Sequence, residues 1–278
     1  MGRSLRSRVV RIAREAGAEA MAVAYHDYET RTEWSYNGDA WFHAASTMKV
    51  PVLIAVYAAM AEGRLSAASR VHVRNRFLSV ADGRPFRIEA TRDANSEVHT
   101  RVGRTMRVRD LARHMIVTSS NLATNLLVEL VGLQEIRRIL HDLGLEEGIQ
   151  IHRGVEDERA YEQGISNRTT ARGLLHALRL IEEREALPIE ASEDMLEILH
   201  AQEFNSGIPA GLPEGARVAH KTGEISTVAH DAGLVYLPDR QPYVLVVLTS
   251  WERDRGGRHE TIARISEAVH DELTEEDA

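Results

Sequence analysis

Ser46-Thr47-Met48-Lys49-Val50-Pro51-Val52-Leu53-Ile54-Ala55-Val56-Tyr57-Ala58-Ala59-Met60 is the most strongly helical stretch of the chain, with Gly63 as a natural stop. From Val50 to Ala61 it is an unbroken apolar run of 12 residues, far short of the ~20 that span a bilayer. A helix that is apolar on every side belongs inside a folded protein. Before it lie an amphipathic helix over 4–16, with Leu5, Val9, Ile12 and Ala13 on one face, and two short strands, Ala20 to Tyr25 and Thr32 to Tyr36. After it, residues 72–105 are irregular, polar and rich in arginine, an excursion with room for one short hairpin. Helical patterns follow at 108–117, 120–131, 134–142, 169–182 and 192–201, interrupted by a polar loop at 150–168. The chain then returns to strands at Arg217 to Lys221, Ala229 to Leu237 and Tyr243 to Ser250, and closes with a helix over 259–275.

Strands at both ends of the chain can pair into one antiparallel sheet, with the terminal helices on one face. The expected fold class is therefore α+β: this sheet, flanked by terminal helices, plus an all-helical sub-domain. The expected division is 1–45 with 202–278 for the sheet sub-domain and 46–201 for the helical one, with an active site in the cleft between them.

The 278 residues carry a formal charge of −8, which disfavours nucleic acid as a partner. Cysteine is absent, which excludes disulfide scaffolds, cysteine nucleophiles and thiolate metal sites. Thirteen histidines show neither His-x-His nor His-Glu-x-x-His spacing, so neither a metal nor any other cofactor is expected. His230-Asp231 reads as a hydrogen-bonded structural pair. Among 34 basic residues only Lys49 and Lys221 are lysines. Arginine stays protonated in proteins, whereas a buried lysine can lose its proton. A position that keeps lysine in such a sequence is one where that difference can matter.

Ser46 and Lys49 are three residues apart at the opening of the buried helix, one turn of spacing that brings their side chains together. A serine hydroxyl becomes a nucleophile when a base within hydrogen-bond reach takes its proton, and burial lowers a lysine pKa toward that role. The helix start also offers unpaired N–H groups to a developing oxyanion. Lys221-Thr222-Gly223 ends a strand and supplies a cation, a hydroxyl and a residue without Cβ, a combination suited to a substrate carboxylate and a closely approaching substrate backbone. Ser119-Ser120-Asn121 precedes a helix, with Ser119 as a proton relay and Asn121 as an amide donor, or all three as a cap.

The three motifs occur in the order Ser-x-x-Lys, Ser-x-Asn, Lys-Thr-Gly. In their contexts, Phe42-His-Ala-Ala-Ser-Thr-Met-Lys, Thr118-Ser-Ser-Asn-Leu-Ala-Thr-Asn-Leu-Leu and His220-Lys-Thr-Gly-Glu, they resemble the class A β-lactamase and penicillin-binding-protein-like serine hydrolases from about residue 18 onward. The resemblance implies a serine hydrolase that opens β-lactam rings through an acyl-serine intermediate. The alternative is a D-alanyl-D-alanine carboxypeptidase or esterase of the same fold, or a slowly deacylating penicillin-binding protein. The resemblance implies Ser46 as nucleophile, Lys49 as its proton acceptor or a partner of the acceptor, Ser119 as relay to the leaving nitrogen and Asn121 as a contact to the substrate amide. It further implies Lys221 and Thr222 as the groups facing the substrate carboxylate, Gly223 and Glu224 as further substrate-binding residues, and the backbone N–H groups of Ser46 and Glu224 as the oxyanion hole. A small-molecule substrate, a monomer, no membrane span and a periplasmic or secreted location are expected, although the amino terminus shows no leader pattern.

Two departures from the family pattern stand out. Ser120 occupies the aspartate position of the middle motif, so a local rearrangement is expected there. The Glu-x-x-Leu-Asn loop that holds the deacylating water is absent. Residues 153–170 offer Glu156 and Glu158 as the best-placed substitutes, with Asp157 and Glu162 less well placed. Glu224 would weaken anionic substrates if it pointed inward, and is expected to point away.

Overall fold

The computed structural model describes residues 2–274, so Glu275, the expected end of the last helix, lies outside them. In chain order the elements are α1 (Gly2–Ala16), β1 (Ala20–Asp27), β2 (Thr32–Tyr36), α2 (Lys49–Ala61), α3 (Val108–Val117), α4 (Asn121–Val131) and α5 (Leu133–Asp142). They continue with α6 (Glu158–Glu162), α7 (Ala171–Glu183), α8 (Ile189–His200), β3 (Arg217–Ile225), β4 (Val228–Tyr236), β5 (Tyr243–Ser250) and α9 (Arg258–Thr274). The chain divides into two compact units. One holds residues up to Thr47, Thr169–Arg179 and everything from Phe204; the other holds Met48–Arg168 and Leu180–Glu203. The segment 169–179, at the start of α7, thus clusters with the sheet.

The sheet unit is built on five antiparallel strands in the order β3-β4-β5-β1-β2. The first and last thirds of the chain meet where β1 pairs with β5, Val23 opposite Val247. Side chains alternate along a strand. Met21, Val23 and Tyr25 of β1 therefore share a face with Tyr243, Leu245 and Val247 of β5, and α1 and α9 cover it with Leu5, Val9, Ile12, Ile262, Ile265 and Val269. Each fully buried aliphatic side chain contributes about 1.5–3 kcal/mol. β3 runs on to Ile225, so Lys221-Thr222-Gly223 lies inside the strand and not at its end.

In the helical unit α2 is the central element: every residue from Lys49 to Ala59 is buried. α3, α4, α5 and α8 pack around it or around one another. The excursion is only partly irregular. Arg70–His72 pairs with Thr105–Arg107, and Phe77–Leu78 with Pro85–Phe86 as a small hairpin. The buried Asp157 carboxylate ties the hairpin to the acidic loop by accepting from Ser79 Oγ (2.7 Å) and Val80 N–H (2.9 Å) while capping α6 at Ala160 N–H (3.2 Å). Among the described residues no helix is long and apolar enough to cross a membrane.

Candidate active site

Ser46 sits in a 3-10 turn, Ala45–Met48, immediately before α2, and does not cap the helix with its side chain. In such a turn the side chains at i and i+3 eclipse. Just before Ser46 the backbone is forced: Ala45 has φ 45°, a left-handed conformation that costs a non-glycine residue on the order of 1–3 kcal/mol. The surrounding residues hold it there. Ala45 N–H donates to His43 Nδ1 (3.0 Å), and the His43 carbonyl accepts from His230 Nε2 (2.9 Å) on β4. His230 Nδ1 accepts the Thr249 N–H (3.2 Å), so this ring is neutral, and burial pushes its pKa down to about 4.

Gly223, opposite His230 in the ladder, lies against the same turn. A Cβ there would meet Thr47 N at 2.9 Å and Ser46 N at 3.1 Å. The missing side chain thus admits the turn that carries Ser46.

Lys49 has no exposed surface. Its Nζ donates to the Ser119 carbonyl (2.8 Å), Ser119 Oγ (3.1 Å) and Asn121 Oδ1 (2.9 Å), which uses all three ammonium protons. Burial lowers its pKa to about 7 against the opposing pull of Asp93 and Glu156. Of the three acceptors only the Ser119 hydroxyl can also donate, so among these three partners it alone can exchange a proton with the amine. Ser119 itself has φ 55°.

Asn121 is a bridge. While Oδ1 accepts from Lys49, Nδ2 donates to Glu156 Oε1 (2.7 Å). Burial raises the Glu156 pKa above the ordinary carboxylate value, with Asn121 and Arg92 opposing. Glu156 is also left-handed, φ 58°. The loop beneath it is fixed by Asn125, which exchanges hydrogen bonds with Val155 (2.7 and 2.9 Å); a Cβ on Gly154 would fall 2.5 Å from Asn125 Oδ1. Glu158 is exposed and paired with Arg92 (2.5 Å).

The second lysine, Lys221, is also fully buried, and its Nζ donates to the Thr222 carbonyl (2.9 Å). Glu224 is held by Arg258 and by His259 Nε2 (2.9 Å) at the start of α9, and these two cations lower its pKa. The expected His230–Asp231 pair is corrected: adjacent strand residues face opposite sides of a sheet. Asp231 instead pairs with His220 Nδ1 (2.8 Å) and accepts the Ile208 N–H (2.8 Å). Among the described residues no group of three or more His, Asp or Glu side chains is arranged to hold a metal ion.

Sequence reasoning missed two residues of this network, Arg92 and Asp93, both in the excursion. Arg92 Nε stands 3.7 Å from Glu156 Oε2. The buried Asp93 carboxylate accepts from Ser120 Oγ (3.0 Å), Asn121 N–H (2.8 Å) and Leu122 N–H (3.1 Å), and contacts His99 Nε2 (3.2 Å). The available signal was the absence of an acid at position 120, which leaves the start of α4 short of an anion.

The sequence profile of the β-lactamase enzyme family matches residues 4–273. Among solved structures, PBP-A is 26% identical, covering 98% of this chain and 96% of that one, with a TM-score of 0.83. A PBP-A mutant solved as an acyl-enzyme complex with penicillin G is 25% identical, with coverage of 99% and 97% and a TM-score of 0.82. A β-lactamase from Sphaerobacter thermophilus DSM 20745 is 26% identical over 96% of each chain, with a TM-score of 0.81. No curated protein matches the chain. With its family profile covering nearly every residue, the chain belongs to the β-lactamase enzyme family, as a class A-like serine hydrolase acting on β-lactams.

Proposed function

We propose that Ser46 attacks the lactam carbonyl carbon while its proton passes to neutral Lys49. The C–N bond then breaks, and the nitrogen takes the Ser119 proton, which Lys49 replaces. The product is an ester on Ser46 with the amine neutral again. The backbone N–H groups of Ser46 and Glu224 receive the carbonyl oxygen as it becomes negative. Lys221 and Thr222 hold the substrate carboxylate, and Asn121 contacts its amide. In the second half Glu156 takes a proton from water and the hydroxide adds to the ester carbon; the C–Oγ bond then breaks, and the proton held by Glu156 returns to Ser46 Oγ, which leaves the free acid as product.

The observation that carries this reading is the environment of Lys49: a fully buried amine with a pKa lowered to about 7, hydrogen-bonded to the one hydroxyl able to relay its proton. A general base is most effective when its pKa lies near the working pH. A monomer is the expected active form.

The second reading is a slowly deacylating penicillin-binding protein. It is favoured by the missing Glu-x-x-Leu-Asn loop. Turnover of a chromogenic cephalosporin separates the two. The first reading predicts many product equivalents per enzyme, abolished by Ser46→Ala. One equivalent followed by a stall supports the second, and undiminished turnover by Ser46→Ala contradicts both.

A further inference from the structure

The amino terminus of α4 carries both partners of Lys49: Ser119 lies just before it and Asn121 is its first residue. The first N–H groups of a helix have no partner within it and attract a negative charge. Ser120 supplies only a neutral cap, accepting from Ala123 N–H (3.2 Å). The charge comes from 27 residues earlier, where the buried Asp93 takes the first two N–H groups of α4, those of Asn121 and Leu122, and the Ser120 hydroxyl. The same carboxylate acts on Lys49 through space, favouring its protonated form.

We propose that Asp93 is a positioning residue for acylation, supplying from the excursion the carboxylate that the middle motif lacks at Ser120 and so holding Ser119 and Asn121 against Lys49. It does not touch the reacting atoms. It sets where two of the groups around them stand. This inference rests on the acyl-serine reading above. A carboxylate placed at 120 can reach the same helix start, so the two positions should be exchangeable.

The test is a cycle of full-length proteins: wild type, Asp93→Asn, Ser120→Asp and the double variant. Acylation by benzylpenicillin is followed by intact mass, alongside melting temperature and the kcat and KM for a chromogenic cephalosporin. Asp93→Asn is expected to acylate about 10²-fold more slowly, the loss typical of a misplaced catalytic group. Ser120→Asp alone is expected to be slow as well, because two carboxylates then crowd one helix end. The double variant is expected to recover to within about tenfold of wild type, a rescue that generic loss of packing would not give. If Asp93→Asn does not fold, a folded and active double variant carries the same conclusion. Wild-type rates in Asp93→Asn, or a folded double variant no faster than its parents, overturn the inference. A folded wild type that never acquires an adduct overturns the acyl-serine reading, and this inference with it.

Discussion

An ammonium group deprived of water gives up its proton more easily, and Lys49 has no exposed surface at all. With its pKa near 7, raising the pH through neutrality increases the fraction of free amine and with it the acylation rate. Lys49→Arg keeps the charge but removes the titration, because guanidinium does not deprotonate. The acylation rate is expected to fall by about 10²–10⁴, measured as adduct formation with benzylpenicillin; a loss below threefold would show that the amine is not the base. In the proposed second half the proton acceptor is Glu156. Glu156→Gln should still acylate but retain the adduct. Arg92→Ala removes a cation that favours the carboxylate form, so the Glu156 pKa should rise and the acidic limb of turnover should move to higher pH. An unmoved limb in a kcat pH profile would remove Glu156 from the step. Residue rarity made Lys49 and Lys221 legible in the sequence: two lysines among 34 cations is a pattern visible without coordinates. Asp93 was not legible, because its partners lie 27–29 residues away and no local periodicity connects them.

The turn that carries Ser46 is an element whose geometry is imposed from outside. The sequence reads Ser46 as the opening of α2, whereas it occupies a 3-10 turn held by His43 and His230. Spacing alone does not distinguish the two, since i and i+3 lie together in both. Gly223→Ala is expected to push this turn away and cut acylation at least tenfold while the sheet still forms; wild-type acylation would show the approach to be uncritical. His230 gives the element a pH signature. Its pKa falls from 6.5 to about 4, so across that window the unfolded chain binds a proton that the folded chain refuses. Stability present above about pH 6.5 is therefore lost as the pH falls toward 4, by roughly 3 kcal/mol at most. Urea unfolding at pH 7 and pH 4.5 should show a smaller pH dependence for His230→Gln than for wild type. Equal dependence would mean that other groups account for it.

At the scale of the whole chain, the sheet was legible because its strands carry period-two or fully apolar runs and its two helices carry apolar stripes. The same reading works for α2, whose sequence admits no solvent face. Less was legible where contacts join distant segments: the membership of 169–179, the ladder of 70–72 with 105–107, and the tie from Asp157 to Ser79. These depend on which loops meet, and composition does not encode that.

The scarcity of lysine also offers the most direct test. Labelling with lysine carrying 15N at Nζ and 13C at Cε gives signals from two side chains only, and Lys49→Arg assigns them. An NMR pH titration of the intact protein is expected to show the Lys49 signal changing with a midpoint near 7. A Lys49 midpoint at about 10.4, the value of a free lysine side chain, would contradict the claim that this amine is the base that activates Ser46.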